Sequence, residues 1–174
     1  MYIGEHGGEG MDFDSSGKLP AGIHDCSAEE FEELFVEQFP TSQSRRPIFC
    51  SLITFIQELF QTGIPDEIWI DGSYATSKIN PNDADVVVFL HYPHFSKLNL
   101  QQNLLRQKYC PTLDLYFAVA ASEQSQNMLS VNDFNQVQNY RNYWRGQFGF
   151  DREDNPKGII RLLPESLQKY TGRG

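Results

Sequence analysis

Residues 68–90, with the sequence IWIDGSYATSKINPNDADVVVFL, are the part of the chain that decides its fold. The short apolar segment at residues 68–70 predicts one strand, and the apolar run at residues 84–90 predicts a second, buried strand. Side chains alternate between the two faces of an extended chain. Asp83 and Asp85 are therefore expected to project from the same face where the second strand begins.

These two aspartates form a candidate metal site together with a third. Asp114 lies in the next apolar segment, residues 113–120, where a charge is costly unless it is paired or metal-bound. Neighbouring carboxylates repel each other, and a divalent cation such as Mg²⁺ or Mn²⁺ would relieve this repulsion. Asp83, Asp85 and Asp114 are thus the candidate catalytic and metal-binding residues. The alternatives are two solvated acids at a loop end and, for Asp114, an edge-strand charge or a buried ion pair.

A candidate phosphate-binding turn precedes the acidic pair. Gly72 allows a phosphate to approach the backbone closely, and Ser73 adds a hydroxyl at the start of a predicted short helix, residues 73–77. Lys78 follows and is a candidate ligand of the same phosphates. The alternatives are an ordinary glycine turn and a solvated loop lysine.

The order of these features resembles the DNA-polymerase-β-like nucleotidyltransferase superfamily. Its signature is a Gly-Ser after a strand, an Asp-x-Asp that opens the next strand, and a third Asp in a later strand. The resemblance implies that Gly72 and Ser73 bind a nucleoside triphosphate. It also implies that Asp83 and Asp85 bind Mg²⁺, while Asp114 completes a second metal site and helps to deprotonate an acceptor hydroxyl.

The flanking segments are similar to a narrower group, the small bacterial proteins of nucleotidyltransferase fold and uncharacterised function. Those proteins tend to begin with LPxGxH, as residues 19–24 do here, and to end with a GF…PKGI hairpin, as residues 149–159 do. This second resemblance implies the fold and adds no substrate.

The whole chain is expected to have an α+β fold, with a small mixed sheet, flanking helices and a C-terminal β-hairpin. Residues 1–18 are expected to be a flexible lead-in, because they are rich in Gly, Ser and acids, and residues 19–174 to form a single domain. Periodicity predicts helices at residues 27–39, 47–63, 96–108 and 130–144, a strand at 113–120 and the hairpin within 146–163.

Aromatic and basic residues alternate near the C-terminus. Arg145 and Lys157 are candidate nucleotide-binding residues in this region, because basic residues among aromatic rings can stack a base and hold phosphate. The alternative is that the same spacing belongs to an ordinary core helix and hairpin. The region comprises Tyr140, Arg141, Tyr143, Trp144, Arg145, Phe148, Phe150, Arg152 and Lys157.

Composition limits the class of protein. The 174 residues carry a net charge of −9, and residues 1–40 hold ten acids against one base, whereas residues 41–174 are formally neutral. This balance disfavours long nucleic acid as a partner. The chain has no apolar run long enough for a membrane span and no signal-peptide pattern, and its three cysteines are scattered. We therefore expect a cytoplasmic protein without a membrane partner.

Taken together, the residues and the resemblance predict a metal-dependent nucleotidyltransferase. The enzyme would move an NMP from an NTP, its substrate, to a hydroxyl on a protein side chain, an RNA end or a small molecule. By analogy with minimal nucleotidyltransferases, the acceptor could be a partner protein in a toxin–antitoxin or defence locus. The alternative is a catalytically inactive module of the same fold that binds a nucleotide or a partner as an antitoxin or regulator.

Overall fold

The computed structural model describes residues 11–170, and it confirms the α+β fold class. Its strands are β1 (Gly22–Cys26), β2 (Glu67–Asp71), β3 (Ala84–Leu90), β4 (Leu113–Val119) and β5 (Gly158–Leu162). Its α-helices are α1 (Ala28–Glu32), α2 (Arg45–Phe60), α3 (Tyr92–Leu98), α4 (Gln102–Tyr109), α5 (Glu123–Met128), α6 (Val131–Phe148) and α7 (Pro164–Lys169). A π-helical turn, Glu33–Glu37, continues α1, and a 3₁₀ turn, Gly72–Ala75, follows β2.

The five strands form one mixed sheet in the order β1-β5-β2-β3-β4. Strand β2 is at the centre and is antiparallel to both of its neighbours, β5 and β3. The edge strands are parallel to the strands they pair with: β1 to β5, and β4 to β3. The parallel step from β3 to β4 is bridged by α3 and α4, as a crossover of this kind requires. The apolar run that predicted a buried strand is β3, with the bounds that the sequence indicated.

The two faces of the sheet are covered unequally. In β3, Val86, Val88 and Leu90 belong to a large core that also contains buried apolar residues of α1, α2 and α7. Val87 and Phe89 point to the opposite face and belong to a smaller cluster, which Phe148 of α6 completes. The alternation of strand side chains thus divides one continuous apolar run between two cores.

Local sequence signals explain where the first helices begin. Ser27 caps α1, because its Oγ accepts a hydrogen bond from the Glu30 N–H and the Glu30 carboxylate accepts one from the Ser27 N–H. In α2 the buried apolar side chains recur at helical spacing and pack in the larger core. They are Ile48, Phe49, Leu52, Phe55, Ile56 and Leu59.

The predicted C-terminal hairpin is wrong. Of its first arm only Phe150 pairs, in a single bridge with Pro156, and the second arm is β5, which lies between β1 and β2 in the main sheet. The physical reason is burial: Ile159 and Ile160 point to opposite faces, and each fills one of the two cores. A two-stranded hairpin at the surface would leave at least one of these faces in water.

Two further expectations are modified. The helix predicted at residues 96–108 is divided into α3 and α4, with a turn at residues 99–101. Of the predicted lead-in, residues 1–10 lie outside the described residues, whereas Phe13 packs edge-on against Phe35 and Phe39. Among the helices of residues 11–170, none is long and apolar enough to cross a membrane.

Candidate functional site

A row of three aspartates crosses the sheet on the face that carries α6. The register pairs Asp71 at the end of β2 with Asp85 of β3, and pairs Asp85 with Asp114 of β4. Directly paired residues project from the same face of a sheet, so the three carboxylates lie side by side. Asp83, two residues before Asp85, lines the same cleft. This row contains Asp71, which the sequence analysis did not single out, although it immediately precedes Gly72.

The predicted phosphate-binding turn borders this row. Gly72 has φ +77°, a left-handed conformation that favours glycine, and a Cβ added there would clash with the Asp85 carboxylate. The 3₁₀ turn that begins at Gly72 confirms a short helical turn after β2, although it ends at Ala75 and does not extend to residue 77. Its first backbone amides therefore lie beside the acidic row.

The candidate cleft, defined by the residues that line it, has a volume of about 930 Å³. Seven of the eight site residues predicted from the sequence line it: Gly72, Ser73, Lys78, Asp83, Asp85, Asp114 and Lys157. Arg145 is exposed on α6 and does not line the cleft, whereas Arg152 does. The structure thus brings seven of the eight predicted residues together, and near the C-terminus the arginine that lines the cleft is Arg152.

Two lysines of the cleft are held by ion pairs with aspartates. Lys157 pairs with Asp71, and both side chains are largely buried. Lys18 pairs with Asp151, which also accepts hydrogen bonds from the backbone of the loop before β5. The segment before β1, in which no sequence signal pointed to Lys18, is therefore part of the cleft wall.

Burial and mutual repulsion raise the pKa values of two carboxyl groups in the row. Burial raises the pKa of Asp71 to about 6, against the opposing effect of the nearby Lys157 ammonium. Burial also raises the pKa of Asp85, and the negative charges of Asp83 and Asp114 add to this increase. The electrostatic conflict expected between the predicted metal ligands is thus present.

The carboxylates in the cleft are oxygen ligands of the kind that a hard divalent cation prefers. Mg²⁺ is commonly bound through one or two carboxylates together with substrate phosphates, and Asp83, Asp85 and Asp114 supply such oxygens on one side of an open cleft. Within residues 11–170, no group of three or more His, Cys, Asp or Glu side chains is arranged so that it could hold a metal ion by itself. Phosphate oxygens would have to complete the coordination.

Comparison with protein families gives one match, which spans residues 11–163 and therefore every residue of the cleft. The chain belongs to the family of unknown function DUF6932. No curated protein and no solved structure matches it. The resemblance to the nucleotidyltransferase superfamily is not tested by these comparisons and stays a prediction from the motif.

A line of aromatic rings leads from the acidic row of this DUF6932 protein to the surface of α6. The Tyr116 hydroxyl donates a hydrogen bond of 2.6 Å to Asp114 Oδ2, and the Tyr116 ring lies 4.7 Å from the Trp144 ring between centroids. Tyr143 follows at 5.4 Å from Trp144, and Tyr140 at 6.2 Å from Tyr143. Tyr116 shares a strand face with Asp114, because it follows two residues later. This two-residue spacing is the signal in the sequence that places Tyr116 beside the candidate site.

A buried arginine holds the turn that borders the cleft. The Arg45 guanidinium donates hydrogen bonds to the backbone carbonyls of Phe35, Tyr74, Thr76 and Lys78. Its side chain is fully buried, and this burial lowers its pKa to about 10. Arg45 therefore holds residues 74–78 against α2, and its own side chain does not line the cleft. A single arginine at the start of a helix gives no sequence signal for such a role.

Proposed function

We propose that this protein is a metal-dependent nucleotidyltransferase with a nucleotidyltransferase-like fold, which transfers an NMP from an NTP to an acceptor hydroxyl and releases pyrophosphate. The observation that carries the proposal is the convergence of the motif residues. Gly72 and Ser73 after β2, Asp83 and Asp85 at β3, and Asp114 in β4 come from three segments and line one cleft.

The two sides of the cleft suit different parts of the reaction. Gly72, Ser73 and Lys157 offer backbone amides, a hydroxyl and an ammonium group on the β2 and β5 side, where the triphosphate of the donor would bind. Asp114 lies on the opposite side, on the edge strand β4, where it would accept the proton of the attacking hydroxyl. In-line placement of the two substrates and neutralisation of phosphate charge supply most of the acceleration in phosphoryl chemistry.

Asp83, Asp85 and Asp114 are the residues that would hold Mg²⁺ or Mn²⁺. When bound, such an ion neutralises the phosphate charge and positions the phosphates. The three carboxylates would then be relieved of the repulsion that they impose on one another, so binding of the ion and of the nucleotide should depend on each other.

A second candidate function is a non-catalytic module that binds a nucleotide or a partner as an antitoxin or regulator. The ion pair between Lys157 and Asp71 favours it, because a lysine beside Gly72 is already neutralised by a buried carboxylate. In this case the cleft would bind its ligand without transfer, and the function would survive loss of the aspartates.

The setting of the proposed enzyme is the reducing cytoplasm, which the free state of Cys26, Cys50 and Cys110 supports. Its acceptor would not be long nucleic acid, since the net charge of −9 opposes such a partner.

The proposal can be tested by thermal unfolding of the wild type and of the Asp83→Ala/Asp85→Ala variant with ATP, GTP, CTP or UTP, each with Mg²⁺. A ligand present at about 100 times its Kd should stabilise the folded state by about 2.7 kcal/mol. We expect at least one nucleotide to raise the Tm of the wild type in a Mg²⁺-dependent way, and the variant to show no such rise. Transfer from that NTP, labelled at the α-phosphate, then distinguishes the enzyme from the binding module. Absence of any nucleotide-dependent shift would contradict the enzyme and would favour the module that binds a partner.

A further inference from the structure

The aromatic rings on α6 line a second cavity, which is open to the surface and separate from the candidate cleft. This aromatic cavity has a volume of about 500 Å³ and is lined by Asn139, Tyr140, Tyr143 and Trp144. The Tyr140 and Tyr143 side chains are 63% and 53% exposed, an unusual state for two neighbouring aromatic rings on one helix. Trp144 packs against the smaller core cluster, whereas packing in the core does not explain why the two exposed tyrosines lie beside it.

The aromatic cavity is connected to the acidic row through side-chain contacts. Trp144 stacks at a tilt against Tyr116, and the Tyr116 hydroxyl is bonded to Asp114. In the order of the strands, Lys157 and Gly72 lie on the side of β5 and β2, Asp85 is in the middle, and Asp114 is on the edge strand β4. The cavity is consequently connected to the row at Asp114, its acceptor end, through Tyr116 of β4.

We propose that the aromatic cavity binds a nucleobase of the acceptor, so that the acceptor hydroxyl belongs to a nucleotide or to the end of a short single-stranded oligonucleotide. This inference rests on the proposed function. In the reaction, the acceptor hydroxyl oxygen bonds to the α-phosphorus of the NTP while the bond from that phosphorus to the α,β-bridging oxygen breaks. The hydroxyl proton passes to Asp114, and pyrophosphate leaves with the electron pair of the broken bond.

The chemistry of the cavity matches a nucleobase in two respects. Three aromatic rings offer π faces, and stacking of a base on such a ring contributes about 1–3 kcal/mol. The Asn139 side chain adds an amide that can both donate to and accept from the edge of a base.

The distribution of charge permits such an acceptor. The excess acids of the chain lie in residues 1–40, which contribute β1 and α1. Strand β1 is at the edge of the sheet opposite to β4, and α1 belongs to the core on the other face. A short phosphate-bearing acceptor beside β4 would therefore lie away from the acids of β1 and α1.

Tryptophan fluorescence of the full chain tests the proposal, because the second tryptophan, Trp69, is fully buried. The probes are AMP, CMP, the hexanucleotides rA6 and rC6, and ribose 5-phosphate as the base-free control. We expect at least one base-bearing probe to quench the fluorescence of Trp144 and ribose 5-phosphate to leave it unchanged. If AMP or CMP binds more tightly than the hexanucleotides, the acceptor is a free nucleotide. If a hexanucleotide binds more tightly, the acceptor is the end of an oligonucleotide.

Two substitutions make the test specific to the cavity. Tyr143→Leu should weaken binding of the quenching probe about tenfold, by loss of one stacking surface, whereas Tyr143→Phe, which keeps the ring, should bind as the wild type does. Circular dichroism and the Tm of both variants report whether they fold. Equal affinity of Tyr143→Leu and the wild type, or no quenching by any base-bearing probe, would overturn the proposal, and the latter result would favour a protein acceptor.

Further controls separate this proposal from the proposed function. Quenching should persist in the Asp83→Ala/Asp85→Ala variant, so loss of nucleotide transfer and loss of base binding are distinguishable. It should also persist with saturating α,β-methylene-ATP and Mg²⁺. If the ATP analogue displaces the probe, the cavity binds the base of the donor, and the assignment to the acceptor is wrong.

Discussion

Among single residues, Arg45 has the clearest structural role outside the motif, because it joins α2 to the turn beside the cleft. Arg45→Lys keeps the charge but loses the planar fork that reaches four carbonyls. Hydrogen bonds to charged groups contribute about 1.5–3 kcal/mol each, so we expect the free energy of unfolding to fall by about 3 kcal/mol in urea titrations. The half-exposed neighbour gives the control: Arg46→Lys keeps its charge beside Glu32 and should change stability by less than about 1 kcal/mol. Similar losses in both variants would contradict this role.

Gly72 has a left-handed backbone conformation and lies beside the acidic row. A side chain there would require a left-handed backbone and would meet the Asp85 carboxylate. We expect Gly72→Ala to lower the free energy of unfolding by at least about 1–2 kcal/mol and to abolish the nucleotide-dependent Tm shift. Gly146, which also lines the cleft, is a matched control, because nothing lies within 4 Å of an added Cβ and it is inside α6. Gly146→Ala should stabilise the protein by up to about 1 kcal/mol. A stable Gly72→Ala variant that still binds nucleotide would show that the turn is not part of the site.

Among the elements, the position of β5 is the largest difference between sequence and structure. The hairpin prediction implies similar contributions from both arms, whereas the observed sheet gives β5 a central place and leaves Phe150 47% exposed. We expect Ile160→Ala to lower the free energy of unfolding by about 2–5 kcal/mol, as truncation of a buried residue does. Phe150→Ala should cost less than about 1 kcal/mol, because its side chain is largely outside the core. Urea titrations of the two variants, compared at the same temperature, check this. Comparable losses would favour the hairpin.

How far the sequence predicts each element depends on whether its signal is local. The bounds of β3 and the cap of α1 at Ser27 follow from alternation and from a capping box, both of which act within a few residues. The insertion of β5 between β1 and β2 depends on pairing with residues far away along the chain, and no local pattern encodes a partner. The cleft follows the same rule. The motif predicts Gly72 together with Asp83, Asp85 and Asp114. In contrast, Lys18 and Arg152 reach the site only through the tertiary fold.

Across the whole molecule, stability is expected to differ between the two faces of the sheet. The larger core holds most buried residues of α1 and α2 together with Leu167 of α7, whereas the opposite face is covered by α6, in which Phe148 is the only buried residue of the described helix. Helices derive most of their stability in proteins from tertiary packing. Most of α6 should therefore open without unfolding of the sheet.

Hydrogen exchange measured by mass spectrometry under native conditions can detect this opening. Regions with few buried apolar contacts exchange through local opening at a free energy below that of global unfolding. We expect amides in peptides from residues 132–143 to exchange before those from residues 84–90, with protection rising toward Phe148, where the helix joins the smaller cluster. Equal protection of the two segments would contradict the prediction.

Because the aromatic cavity lies on this helix, a base that binds there should slow exchange at residues 132–143 and leave the already protected β3 unchanged. Such a change would connect the weakly packed helix to a binding role, since an 18-residue helix with one buried side chain contributes little to the core.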